Sequence, residues 1–227
     1  MKLILFDCDG TIVDSQHIIV AAMESAFAGA GLPAPERSRV LNVVGLSLIP
    51  AVTRLLPSPA DSGLARSLAE AYKSSFQGLR RDPANHEPLY PGAREAIAEL
   101  ALRPDCVLGI ATGKSRRGVE VLLEREHLGR VFVTIQTADD HPSKPHPSMI
   151  LKALAETGVE PHRAVMLGDT TYDMEMAGAA GVAALGVAWG YHDSGSLQSA
   201  GASRVVEHYG QLTGAIDQLL AERGAAV

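Results

Sequence analysis

The sequence predicts an α/β fold: a parallel sheet with helices on both faces, and a small all-helical domain inserted after the first strand. Two observations lead there. Short apolar runs that stop abruptly at Asp, Gly or Thr alternate with amphipathic helical patterns. Such runs are what strands look like when connecting helices bury them on both faces. The alternation fails between about residues 14 and 87, where only helical patterns occur.

Residues 2–6 (KLILF) form the first run and stop at Asp7-Cys8-Asp9-Gly10-Thr11. In the interrupting stretch Ile18, Ile19, Ala22, Met23, Ala26 and Phe27 recur at helical spacing. Leu64, Leu68, Tyr72 and Phe76 lie four apart in a further helix over 64–79. Pro- and Gly-rich breaks at Gly31–Pro35 and Pro57–Gly63 separate the helices, and residues 81–92 read as a return linker. The insertion is too long for a loop. The expected division is a core of residues 1–14 and 88–227 and a helical cap of residues 15–87.

Beyond the linker, Ala93, Ile97 and Leu100 mark a helix, and Cys106–Ala111 (CVLGIA) a strand ending at Thr112-Gly113-Lys114-Ser115. Val119, Leu122 and Leu123 mark the next helix; Met149, Ile150, Ala153 and Leu154 the one after. Residues 164–167 (AVML) read as a strand ending at Gly168-Asp169. Residues 182–187 form a run broken by glycine, and 204–206 a fifth strand. Leu212, Ile216, Leu219 and Leu220 mark the last helix. In such sheets ligands bind beyond the carboxyl ends of the strands, so the polar clusters there should share one cleft.

At 227 residues and 46% hydrophobic, the chain can bury a substantial core. A net charge of −6 weighs against nucleic acid, whose phosphates are bound mainly by Lys and Arg. The apolar opening run is too short for a signal-peptide core. No stretch approaches the roughly 20 apolar residues that cross a bilayer. Cys8 and Cys106 read as buried and need no disulfide. A cytoplasmic protein acting on a small molecule is expected, without nucleic-acid or membrane partners.

Four clusters carry the chemistry. Asp7 and Asp9 lie two apart on an extended segment and project to one side, so one can be a nucleophile and the other a general acid/base. Gly10 allows a sharp exit turn. Thr112-Gly113-Lys114-Ser115, a hydroxyl and free N–H groups at a helix start, suits a phosphate, although such residues are often only caps. Lys144, in Ser143-Lys144-Pro145-His146-Pro147, can pair with a phosphate or a carboxylate. Asp173 lies one helical turn beyond Asp169, on the same side. With Asp7 and Asp9 these make an oxygen-rich site whose mutual repulsion a hard divalent cation would relieve, Mg²⁺ being the natural choice.

The order DxDGT, TGK, SKP and GDxxxD, spread over nearly the whole chain, resembles the haloacid dehalogenase superfamily of phosphohydrolases. The helical insertion after the first motif, Ala177–Gly181 and Gly186–Gly190 resemble the subgroup containing phosphoglycolate phosphatases. The resemblance implies a Rossmann-like core with a cap. It makes Asp7 the nucleophile that forms an aspartyl-phosphate, with Asp9 protonating the leaving oxygen and later activating water. Thr112 and the Gly113 N–H would hold phosphate oxygens, and Lys144 would screen nucleophile and phosphoryl group. Asp7, the Asp9 carbonyl and Asp169 would bind Mg²⁺, with Asp173 supporting. Gly113 departs from the Asn common in the phosphoglycolate-type enzymes, and so loses a side-chain donor. Val44-Gly45-Leu46-Ser47 resembles the subgroup's substrate-facing cap loop. Arg116 and Arg117 are either solvated or aimed at a substrate carboxylate.

Rival readings fare unequally. A phosphoreceiver signalling module needs neither the insertion nor GDxxxD. A dehalogenase lacks the carboxylate at the position of Asp9. A β-phosphoglucomutase-like mutase shares every motif and stays open, as does a pyrophosphatase. Phosphoglycolate leads the expected substrates.

Overall fold

The structure is a computed structural model and describes residues 1–57 and 61–225. The expected α/β architecture is borne out, with six strands rather than five. They are β1 (Lys2–Phe6), β2 (Cys106–Thr112), β3 (Phe132–Thr137), β4 (Ala164–Gly168), β5 (Ala183–Val187) and β6 (Arg204–Val206). They form one sheet in the order β3-β2-β1-β4-β5-β6, every pairing parallel.

The strand missed in the sequence is β3, at an edge. Its residues FVTIQT mix polar and apolar types: Val133 is exposed, while Thr134 and Gln136 are buried. Gln136 Nε2 and Thr134 Oγ1 both donate to Glu156 Oε2, at 2.8 and 2.6 Å, so distant partners replace the apolar signal.

The sheet is covered on one face by α5 (Ala93–Ala101), α6 (Arg116–Arg125) and α10 (Leu212–Gly224). On the other face lie α7 (Ser148–Thr157), α8 (Thr171–Ala179) and the short α9 (Ser194–Ser199). Helix α9 was not anticipated; Leu197 is its one buried residue.

Among the described residues, four α-helices stand between β1 and α5: α1 (Gln16–Gly29), α2 (Arg37–Leu41), α3 (Leu48–Leu55) and α4 (Ser62–Leu79). They have their own apolar core, which includes Met23, Phe27, Val40, Val52 and Leu68, apart from the two clusters on the sheet faces. Helix α4 starts where the Asp61 carboxylate accepts from the Gly63 and Leu64 N–H groups, at 2.6 and 3.1 Å, satisfying amides that the helix cannot. The break expected at Pro57–Gly63 includes residues 58–60, which lie outside the described residues. No described helix is long and apolar enough to cross a membrane.

Asp217 of α10 ties the helix to the amino-terminal end of the central strand β1 and to the turn before β2. It accepts two hydrogen bonds from Arg103, both 2.9 Å, and one from Lys2 at 2.8 Å. The Arg103 bonds, with help from Lys2 and against some burial, pull its carboxyl down from 3.8 to about 2. The stabilisation is therefore complete above pH ~4 and lost as pH falls toward 2. Because the carboxylate is 42% exposed, solvent screening limits the pair to about 0.2–1 kcal/mol. Asp217→Asn should lower the thermal midpoint at neutral pH by about 1–3 °C. Melting both proteins near pH 2 should bring the curves together.

Candidate active site

Strand β1 is central, and its register sets Phe6 beside Ile110 of β2 and Leu167 of β4. Asp7, the Thr112–Lys114 segment and Asp169 therefore leave the sheet side by side. The turn after β1 is fixed by Gly10, whose φ is +84°. A Cβ there would lie 2.1 Å from Asp169 Oδ2, so glycine is required both by conformation and by space. Trp189 Nε1 and the Tyr209 hydroxyl both donate to the Thr11 carbonyl, at 3.0 and 2.7 Å, and pin the loop from the other side.

Asp7 is 1% exposed, and neither of its carboxylate oxygens receives a well-formed hydrogen bond. Its counter-charge is Lys144 Nζ, 3.1 Å from Oδ1. Lys144 is itself buried and does not line the cleft. Its ammonium lies between Asp7 and Asp173, 2.6 Å from Asp173 Oδ1. The other Asp173 oxygen closes a capping box at the start of α8, accepting from Thr170 N (3.1 Å) and Thr170 Oγ1 (2.7 Å). Asp169 is fully buried, accepting from Thr11 Oγ1 (2.8 Å) and Tyr191 N (3.0 Å).

Asp7, Asp169 and Asp173 each place an oxygen within 4.8 Å of the others'. Burial pushes the Asp7 carboxyl up to about 6, with Asp173 adding to the rise and Lys144 opposing it. Asp169 is raised well above its ordinary value, first by burial and then by Asp173 and Asp7. One ammonium does not balance three buried carboxylates. The Asp7 oxygens, which receive no well-formed hydrogen bond, and the all-oxygen donor set fit a hard divalent cation.

Asp9 lies at the cleft floor, where its Oδ1 accepts from Ser15 Oγ at 2.6 Å and Lys114 Nζ at 2.7 Å. Burial raises its pKa, but Lys114 and Ser15 outweigh that and hold it as a carboxylate. Lys114 also reaches Glu87 Oε1 at 3.2 Å. Glu87 is 1% exposed and takes a further ion pair from Arg80, 2.6 Å from its Oε2. Glu87 and the role of Lys114 were not identified in the sequence. Lys114 was visible only as the last letter of TGK, and Glu87 sits in the linker with no local pattern.

Above this floor lies a cavity of about 790 Å³ between sheet and cap. Asp7, Asp9, Thr112 and Gly113 line it from below; Val44–Ser47, Tyr72 and Phe76 line it from the cap. The cap loop is anchored to the core where Ser47 N–H donates to Ser143 Oγ at 2.8 Å. Gly113 has a steric reason: a Cβ there would lie 2.6 Å from the Gly45 carbonyl oxygen and 3.0 Å from that of Leu46. Cap backbone fills the space a side chain would take. Gly113→Asn should therefore cost about 1–3 kcal/mol, the usual cost of overpacking, read as a lower thermal midpoint. An unchanged midpoint would mean that the loop is not packed on Gly113. Arg116 is the solvated case, paired with Asp140 at 2.7 Å.

A parallel α/β sheet with a carboxylate pair after its first strand, a buried lysine and an acidic triad defines a class of hydrolases. The chain belongs to the haloacid dehalogenase-like hydrolase family, whose family model matches residues 4–187. It is 34% identical to "Probable phosphatase IndB" of Dickeya dadantii over 222 residues, 96% of this chain and 94% of that protein. It is 31% identical to a phosphoglycolate phosphatase of Pseudomonas syringae pv. tomato, over 91% of this chain and 76% of that protein. Among solved structures, a hydrolase from Pseudomonas syringae superposes with a TM-score of 0.84 at 26% identity, covering 96% of this chain and 99% of the other.

Proposed function

We propose that this haloacid dehalogenase-like phosphatase hydrolyses a small phosphomonoester with Asp7 as nucleophile. The observation that carries the reading is the Asp7 carboxylate, buried, without a well-formed hydrogen bond and held at the cleft floor with Lys144 as its counter-charge. An Asp7 oxygen attacks phosphorus; the new O–P bond forms as the bond to the leaving oxygen breaks. Asp9 gives that oxygen a proton. In the second step water attacks the aspartyl-phosphate, Asp9 takes the water's proton, and phosphate leaves Asp7 regenerated.

The Lys114 ion pair favours the carboxylate form of Asp9, which the second step uses. The first step needs its acid form, which requires the Lys114 ammonium to loosen its hold. Thr112 and the Gly113 N–H hold phosphate oxygens. Lys144 keeps the Asp7 carboxylate ionised and offsets charge on the phosphoryl group. Asp7, the Asp9 carbonyl and Asp169 would hold Mg²⁺. Asp173, already accepting three hydrogen bonds, supports the site through Lys144. A bound Mg²⁺ would neutralise the phosphoryl oxygens and the carboxylates together. Residues 15–87 act as a cap that closes over the ester and keeps bulky phosphoproteins out.

The test is phosphate release from small esters with and without metal. Exhaustive chelation should lower turnover at least about tenfold, and added Mg²⁺ should restore it. Full activity after chelation would contradict the metal assignment. Release of an isomerised sugar phosphate in place of inorganic phosphate would favour the mutase reading.

A further inference from the structure

The cleft is larger and more apolar than a glycolate-sized alcohol needs. We propose that the substrate is the phosphate ester of a bulkier alcohol bearing an apolar face and an anionic substituent, an inference that rests on the phosphatase reading above.

Size comes first. A cavity of about 790 Å³ falls in the range of roughly 300–1,000 Å³ that holds drug-sized ligands, and a two-carbon acid would leave most of it empty. The apolar surface also begins where the leaving group emerges. Lys114 Nζ, 2.7 Å from Asp9 Oδ1, stands 5.5 Å from the centre of the Phe76 ring. Tyr72 extends that wall, its ring centre 5.7 Å from that of Phe76. At the mouth, Ile49 on the cap and Val121 on the core are 48% and 38% exposed, one apolar side chain on each lip. Gly113 itself offers a small acid no side-chain donor. The Gly45 carbonyl occupies the space over Gly113, 2.6 Å from where a Cβ would be.

The charge of the lining is the second half of the argument. In a chain of net charge −6, the cavity is lined by Lys73, Arg80, Arg81, Lys114, Arg117 and Arg125, with Asp7, Asp9 and Asp139 as its only acidic lining residues among those described. Arg80, Lys114 and Arg125 converge on Glu87, and Lys73 pairs with Glu70. Arg81 and Arg117 pair with no carboxylate among the described residues. One follows the last cap helix and the other lies in the first turn of α6, so they offer guanidinium groups from both sides of the cleft to an anionic group on the substrate.

The test compares kcat/KM with Mg²⁺ for three esters of unactivated alcohols: phosphoglycolate, benzyl phosphate and 4-carboxybenzyl phosphate. The expected order is 4-carboxybenzyl above benzyl above phosphoglycolate, with the first exceeding the last at least about tenfold. Phe76→Leu should lower the ratio of benzyl phosphate to phosphoglycolate at least about threefold, and Arg117→Gln the ratio of 4-carboxybenzyl to benzyl phosphate by a similar factor. Phosphoglycolate turned over as well as the benzyl esters, or variants that leave both ratios unmoved, would overturn the inference. So would hydrolysis of p-nitrophenyl phosphate with none of the three esters cleaved. Phosphate release from no ester at all, p-nitrophenyl phosphate included, would instead overturn the phosphatase reading, and this inference with it.

Discussion

Asp7→Asn should lower kcat by at least about 10⁴-fold and leave the protein folded. Asparagine has the shape of aspartate but no charged oxygen to attack phosphorus, and no neighbouring side chain is placed to substitute. Stability should move the other way. Burial already pushes the Asp7 carboxyl up to about 6, so its charge is costly in the metal-free protein. The variant removes that charge while Lys144 keeps Asp173 as partner at 2.6 Å. The thermal midpoint without metal should therefore hold or rise. Kinetics and melts on the same preparation separate a lost nucleophile from a lost fold. Substantial remaining turnover would overturn the mechanism.

Lys144→Met should be the costliest change to stability. The Lys144 side chain is fully buried, and its ammonium stands 3.1 Å from Asp7 and 2.6 Å from Asp173. Removing one partner of a buried ion pair strands the other, at about 3–5 kcal/mol. The pH dependence identifies the cause. Without the ammonium the buried Asp7 carboxyl, already pushed up by burial, is best buried protonated, so the penalty should shrink as pH falls. Denaturant unfolding of both proteins at pH 8 and pH 5 measures it. An equal loss at both values would point to packing rather than charge.

Much of this architecture is legible in the sequence because its strands are unbroken apolar runs that stop at Asp, Gly or Thr. That pattern marks β1, β2, β4 and β5 within a residue or so at each end and places Asp7, Thr112 and Asp169 at their tips. It fails for β3, whose burial depends on Thr134 and Gln136 bonding Glu156, partners that no local pattern announces. The cap shows the same contrast. Helices α1 and α4 are long enough to display periodicity, whereas the five residues of α2 are not. Depth is the other thing a sequence conceals. The motif offers Lys144 to a phosphate or a carboxylate without saying how deep it lies; its ammonium sits beneath the cleft, against Asp7 and Asp173. The Asp9–Lys114–Glu87 chain joins residues 105 and 27 positions apart, which only the folded sheet and linker bring together.

The claim that Asp7 is phosphorylated during turnover can be tested directly. The enzyme is mixed with Mg²⁺ and a substrate it hydrolyses, quenched in acid within one turnover, and digested for mass spectrometry. One phosphoryl group should be found on the peptide that begins the chain, at Asp7, and should disappear as inorganic phosphate forms. Phosphate formed at full rate with Asp7 never modified, or with the phosphoryl group on another residue, would contradict the account.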